Sequence, residues 1–221
     1  MELSETDILD LYVRLKDIEP RRRATEALKK LSGEHADDPL GCSLGQANRT
    51  FWNVRRASLD RKAEGRLRCN ACDEWMELPL DDTFAFPSLV EPEPRVAYGG
   101  SDYAVRYPVL RDLLSGGSRF PVETLSPNAP WDDADFRASA EKALDEGDPG
   151  LDVVFDITCH ACGDSTQARL EPFAFFWSSL QVRARELLAD IVRLASAFGW
   201  TERECLRIGP TRRRLYLERL A

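Results

Sequence analysis

Four of the six cysteines stand in two Cys-x-x-Cys pairs, Cys69 with Cys72 and Cys159 with Cys162. Such a turn directs two thiolates at one ion, and two turns supply the four soft ligands of a closed tetrahedral zinc site. Each pair lies between strand-like segments, so the sequence predicts a ribbon of two hairpins that holds one structural Zn2+. The 86 residues between the pairs do not forbid the site, because loop-closure entropy rises slowly with length.

Two alternatives stay open for these cysteines, a redox-active dithiol and a ribbon without metal. Neither pair precedes a convincing βαβ unit, which counts against redox chemistry. His160 lies inside the second pair, but the ligand set is complete without it. The remaining Cys42 and Cys205 are typical of buried small apolar residues rather than nucleophiles.

The sequence offers little support for catalysis. Its two histidines, His35 and His160, have no suitable sequence neighbours for a serine or cysteine triad. Neither a Gly-x-x-x-x-Gly-Lys phosphate loop nor a Gly-x-Gly-x-x-Gly motif occurs. Since a four-cysteine site leaves zinc no open coordination position, we expect that the protein is not an enzyme.

Helical patterns at both ends must position the ribbon. At the N-terminal end, Ser4 begins the first helix and Ser43 begins the third, which has a stripe of apolar residues over 44–58. At the C-terminal end, a long helix has an apolar stripe over 180–198, and Thr201 begins the short helix that follows it. A last helix is expected to be capped by Thr211. Because each apolar stripe needs a partner, we expect the helices of the two ends to pack together. We therefore predict an α+β fold, mainly α-helical, with an inserted small β zinc ribbon.

The predicted organisation has five parts, which follow one another along the chain. They are an N-terminal helical region (1–64), a first ribbon hairpin (65–81), a variable acidic insertion (82–150), a second ribbon hairpin (151–171) and a C-terminal helical region (172–221) that packs on the N-terminal helices. The insertion is expected on the tip side of the ribbon. It should hold strands around Gly99-Gly100 and an acidic helix over 131–144.

The composition limits where the chain acts. Its 221 residues carry a net charge of −8, which disfavours a whole-surface attraction to nucleic acid or anionic lipid. The most apolar segment, 173–198, is interrupted by charges, and the N-terminal residues are acidic where a signal peptide is basic. We expect a cytoplasmic protein with no membrane partner.

Several sequence segments resemble the T-even-phage-type baseplate hub assembly chaperone family. They read LGQANRTFWNVRRASL (44–59), RCNACDEWMELPL (68–80), FDITCHACG (155–163) and IVRLASAFGWTERECLRIGPTRRRLYLERL (191–220). The resemblance covers roughly half of the chain. It implies a zinc-containing assembly factor or minor component of a contractile phage tail or phage-tail-like injection system, with baseplate or hub proteins as partners and association with the finished particle left open.

A nucleic-acid-binding or transcription-associated zinc ribbon is the alternative function. The segment 203–219 carries six arginines, and this alternative predicts salt-sensitive binding through Arg207, Arg212, Arg213 and Arg214. The acidic middle of the chain would repel phosphate, so solvated or internally paired arginines are the favoured interpretation.

Two groups of residues are candidates for binding a protein partner. One is aromatic, Phe173, Phe176 and Trp177, which belong to an aromatic run that also holds Phe175. Residues 173, 175 and 177 point in different directions from a helix, so one helix face cannot bury the whole run; packing under the ribbon is the competing interpretation. The other is acidic, Asp132, Asp133 and Asp135, which could cover a basic surface of a tail protein; a solvated acidic face competes with it.

Overall fold

The computed structural model describes residues 1–31, 38–59, 65–78, 80, 84–115 and 122–220. It confirms the predicted mixture of many helices and small antiparallel sheets. No helix in these ranges has both the length and the hydrophobicity needed to cross a membrane. The helices are α1 (Glu5–Lys16), α2 (Pro20–Leu31), α3 (Leu44–Ser58), α4 (Leu110–Ser115), α5 (Ala134–Gly147), α6 (Pro172–Phe198), α7 (Glu202–Arg207) and α8 (Pro210–Glu218).

Most helix ends carry the predicted signals. Ser4 and Thr201 form complete capping boxes at α1 and α7, and α6 ends at Gly199 with a φ of 69°. The expected cap at Thr211 is wrong, because α8 begins at Pro210 directly after Gly209. Proline fits this first position, where its missing N–H would have had no helical acceptor.

Helices from both ends of the chain share one hydrophobic core. Phe51 of α3 contacts Phe173 and Phe176 of α6, with ring centroids 4.9 and 5.4 Å apart. Leu15 of α1 and Leu180 of α6 are completely buried in the same cluster. The stripes of α3 and α6 therefore face each other.

A partly buried network of salt bridges connects α1 to α6 and α8. Arg213 of α8 is only 2 % exposed, and its Nη1 donates to Glu5 Oε2 at 2.8 Å. Arg183 of α6 reaches the same carboxylate at 2.8 Å, and Asp190 lies 3.6 Å from Arg213 Nε. Burying an arginine is unfavourable unless it is paired, so this network is part of the packing of the three helices.

Six strands form three antiparallel hairpins in the described ranges. Two hairpins, β1–β2 and β5–β6, carry the cysteine pairs at their turns, and β3–β4 turns at Gly99-Gly100 as predicted. The strands are β1 (Arg66–Arg68), β2 (Trp75–Glu77), β3 (Arg95–Tyr98), β4 (Ser101–Ala104), β5 (Val154–Thr158) and β6 (Ser165–Arg169).

The insertion between the hairpins has its own small core. Phe136 of α5 is fully buried among Tyr98, Tyr103 and Trp131, with ring centroids 5.1 to 5.6 Å apart. The helix starts at Ala134, later than the predicted 131, because Asp133 accepts the first free amides of the helix.

This insertion joins the base of the ribbon, so its expected position on the tip side is wrong. Leu78 and Val153 lie at the strand ends away from the cysteine turns, and they pack in one cluster with Trp52 of α3. Phe84 of the insertion meets the Trp52 ring at 5.4 Å. The physical reason is the antiparallel hairpin itself, whose chain enters and leaves at the ends opposite its turn.

Candidate metal centre

The two cysteine turns have matching backbone hydrogen bonds. The amide of Cys69 donates to the carbonyl of Glu74 at 2.9 Å, and that of Cys159 donates to the carbonyl of Asp164 at 2.8 Å. Each bond closes a tight turn immediately after a strand, so each turn presents its cysteines at the end of a hairpin.

Each turn also contains one residue in the left-handed region. Asp73 has a φ of 61° and Gly163 a φ of 78°. Their amides donate to the carbonyls of Cys69 and Cys159 at 3.0 and 2.9 Å. Glycine is favoured at this conformation, and aspartate is among the residues that tolerate it.

The four cysteine sulfur atoms converge between the two turns. Cys69 Sγ lies 3.6 Å from Cys162 Sγ, and Cys72 Sγ lies 3.6 Å from Cys159 Sγ. All four sulfur atoms lie within 4.8 Å of one another. A zinc–sulfur distance of about 2.3 Å in a tetrahedron places sulfur atoms roughly 3.8 Å apart, so the cluster has the size of a four-thiolate zinc site.

One ligand from each turn is buried and the other is exposed. Cys69 and Cys159 are 3 % and 2 % accessible and pack with Met76, Leu67 and Ile157. Cys72 and Cys162 face solvent. The cluster therefore has an apolar side toward the ribbon and an open side through which an ion can enter.

Backbone amides favour ionised sulfur in this cluster. The amides of Cys72 and Ala71 lower the pKa of Cys69 to about 6. For Cys72 the Glu74 amide favours the thiolate, but hydrogen bonds with the sulfur atoms of Cys162, Cys159 and Cys69, together with burial, raise its pKa overall. Neighbouring thiolates repel each other, and a divalent cation supplies the charge that allows all four to ionise.

The two hairpins also touch directly. The amide of Asn70, in the first turn, donates to Oγ1 of Thr166 on β6 at 3.3 Å. Thr166 is 2 % exposed and Asn70 is exposed, so this bond is partly buried at the contact between the hairpins. The contact fixes the second hairpin against the first without using a sulfur atom.

This cluster is chemically suited to a structural ion. Within the described ranges it is the one convergence of three or more metal-binding side chains, and His160 is not a member of it. Four thiolates saturate a tetrahedral ion, so a bound zinc would hold no water for hydrolysis. No family model, curated protein or solved structure matches the chain.

The aromatic residues predicted as a partner surface pack against the helical core, Phe176 fully and Phe173 and Trp177 in part. Phe176 is fully buried against Phe51, so its predicted role in partner binding is wrong. Phe173 contacts the same ring, and Trp177 lies between Tyr12, 6.1 Å away, and the Arg23 guanidinium, 4.4 Å away. Phe173 and Phe176 thus face α3, and Trp177 faces α1 and α2.

The predicted acidic residues have two different environments. Asp133 caps α5, accepting the amides of Asp135 and Phe136 at 2.9 and 3.4 Å. A hydrogen bond from Tyr98 holds the pKa of Asp133 below its usual range, with those two amides adding to the effect. Asp132 and Asp135 are exposed and remain candidates for partner contact.

The arginine-rich C-terminus is only partly available to a ligand. Arg213 is buried and bound to Glu5, so its predicted contact with nucleic acid is wrong. Arg207, Arg212 and Arg214 are exposed.

A further interaction was missed by the sequence interpretation. The two terminal nitrogens of Arg49, on α3, donate to the two carboxylate oxygens of Asp148 at 2.5 and 3.0 Å. Asp148 follows α5 and is completely buried. Asn48 donates to the carbonyls of Gly150 and Leu151 at 3.0 and 3.2 Å. The sequence signal for this interaction is the polar face of α3, opposite its apolar stripe, which carries Asn48 and Arg49.

Proposed function

We propose that this chain is a non-enzymatic assembly factor or minor component for the baseplate hub of a contractile phage tail or related injection system. It acts by binding other proteins, in the cytoplasm or on the assembling particle. The observation that supports this role is where the family-like segments lie. They build α3, the two cysteine turns and the end of α6 with α7 and α8, which belong to the shared helical core and to the ribbon.

The ion proposed for the cysteine cluster is Zn2+. Four convergent thiolates match its preference for soft ligands and tetrahedral geometry. Elemental analysis of the purified protein should find one zinc per chain, and Cys159→Ser should release it. A purified protein that is stably folded, metal-free and unable to take up zinc would contradict the assignment.

Co-expression with each baseplate component tests the assembly role. We expect a soluble complex with at least one component. Asp132→Ser with Asp135→Ser should weaken it, because charges at an interface steer and align the partner. These two acids are exposed, whereas Asp133 must stay because it caps α5.

A matched control separates contact from net charge. Asp10→Ser with Glu202→Ser removes the same charge from exposed positions on α1 and α7. The proposal is wrong if no component binds and deletion of the gene leaves assembled particles normal in number and length.

The alternative function is a nucleic-acid-binding ribbon. It is supported by Arg207, Arg212 and Arg214, which are exposed and therefore accessible to phosphate. It predicts binding to DNA or RNA that falls steeply with salt and is weakened by replacing these arginines with glutamine. A gel shift at two salt concentrations distinguishes it from the assembly role, for which we expect no binding at physiological salt.

A further inference from the structure

An open cleft of about 720 Å³ lies where the helical core, the second hairpin and α5 meet. Its volume falls within the range of roughly 300–1,000 Å³ typical of ligand pockets. Apolar side chains from all three regions line it, among them Leu44 of α3, Leu144 of α5 and Phe173 of α6. The cleft therefore offers an apolar surface built from separate parts of the chain.

Carboxylates surround this apolar surface. Glu141 and Asp145 come from α5, Asp152 from the loop before β5, and Glu171 from the residue before α6. Among the described residues that line the cleft, Arg169 is the single cation, and it is bound to Asp152 at 2.8 Å. The described lining thus has an excess of negative charge.

Some of these carboxylates crowd one another. Burial raises the pKa of Asp145, and the neighbouring Asp152 and Glu141 raise it further. Like charges held together are unfavourable, and a cation placed among them relieves the repulsion. An amine or guanidinium in the cleft would therefore be stabilised by several acids at once.

We infer that this cleft binds a segment of a partner protein that combines apolar side chains with lysine or arginine. The apolar lining accepts the hydrophobic side chains, and the rim accepts the cations. The inference rests on the proposed function of binding proteins, and it assigns that binding to a particular surface and a particular peptide chemistry.

A dodecapeptide of alternating leucine and lysine, labelled with fluorescein, is the probe. We expect it to bind the full chain in an anisotropy titration. Glu141→Gln with Asp145→Asn should weaken binding about tenfold, since each exposed ion pair contributes up to roughly a factor of five. Ala174→Trp, at an exposed position lining the cleft, should weaken it by filling the space.

Three controls test the chemistry. Peptides of leucine with glutamate, or of serine with lysine, should bind much more weakly than the leucine–lysine peptide. Asp10→Asn with Glu202→Gln changes net charge equally, at exposed positions outside the residues that line the cleft, and should leave binding unchanged. Circular dichroism should show that every variant is folded.

The inference is overturned if the leucine–lysine peptide does not bind, if the serine–lysine peptide binds as well, or if both charge variants weaken binding equally. It also fails if a baseplate component co-purifies and the cleft variants do not affect the complex; the proposed function then stands. Conversely, peptide binding that the cleft variants abolish, with no baseplate component bound, supports the cleft and contradicts the baseplate role.

Discussion

The first and second cysteine hairpins reach the same backbone with different residues. Position by position they are offset by 90 residues, so that Cys69 matches Cys159 and Asp73 matches Gly163. The strand pairs next to the turns keep this offset, with Arg68 opposite Trp75 and Thr158 opposite Ser165. The two hairpins therefore share the backbone of the turn and the strand register next to it, while most residues other than the cysteines differ.

The difference between the hairpins follows the two faces of each strand. Inward positions hold Leu67 or Ile157, which pack beneath the sulfur cluster. On the outward face of the first hairpin, Trp75 is 52 % exposed and the Arg68 guanidinium stacks 4.2 Å from the centre of its ring. The second hairpin has Ser165 and Thr158 at the matching positions. The shared sulfur cluster and the turn thus constrain the inward positions, and the outward positions are free to differ.

Loss of one ligand should have the largest effect and should remove both hairpins together. Cys159→Ser lies in the second hairpin, but the four sulfur atoms converge on one point. Zinc binding in such sites contributes on the order of 10–16 kcal/mol at neutral pH. Hydrogen exchange should show lost protection in both hairpins, while circular dichroism keeps the helical signal.

Cys42→Ser is the matched control, because Cys42 is half-buried outside the cluster. It should keep the zinc and the protection of both hairpins. Loss of protection in the second hairpin alone after Cys159→Ser would show that the hairpins do not depend on a common ion.

Gly163→Ala should have the next largest effect. No atom lies within 4 Å of the added Cβ, so the cost comes from the backbone φ of 78°. That cost is roughly 1–2 kcal/mol, which should weaken zinc binding by roughly 5- to 30-fold in a chelator competition. Gly163→Asp copies the first hairpin and should be tolerated better; an equal loss for both substitutions would break the equivalence of the two turns.

Thr166→Val removes the contact that joins the hairpins without touching the sulfur atoms. The Asn70 amide would lose its acceptor inside the ribbon, at a cost of about 1 kcal/mol. Faster exchange of the Asn70 amide in NMR spectra checks this expectation. Thr158→Val, at an exposed position of the same hairpin, should leave that rate unchanged.

Asp73→Gly should have the smallest effect of the four. Glycine relieves the left-handed conformation but removes the exposed ion pair with Arg68, whose atoms lie 2.7 Å apart. The two changes oppose each other, so the unfolding free energy should shift by less than about 1 kcal/mol in a denaturant titration. A larger loss would mean that Asp73 has a role that Gly163 does not share.

The cysteine cluster and the helix termini could be predicted because their signals are local. Two Cys-x-x-Cys turns define a ligand set whatever lies between them, and a capping box such as Thr201 with Glu204 spans a single turn. The periodic stripe of α6 likewise identified its buried face, although the helix extends back to Pro172 through an aromatic segment without one clear face.

The burial of polar side chains could not be predicted in this way. For the arginine-rich segment the sequence leaves both solvation and internal pairing open, and the partner that buries Arg213, Glu5, is 208 residues away in sequence. Asp148 stands in a Gly-Asp-Pro-Gly segment with no local sign of burial, and its partner Arg49 lies 99 residues earlier. Whether a charge is solvated or paired depends on tertiary contacts that the local pattern does not contain.

The contact between Glu5 and Arg213 has a consequence for biosynthesis. Helix α1 is made before α8, so its Glu5 carboxylate finds its buried partner Arg213 only after α8 has been synthesised. Leu11 and Leu15 likewise lack their packing partners on α6 until that helix has been made. Long-range closure of this kind slows folding and prolongs the exposure of apolar surface, so the nascent chain should be prone to aggregation while α6 and α8 are incomplete.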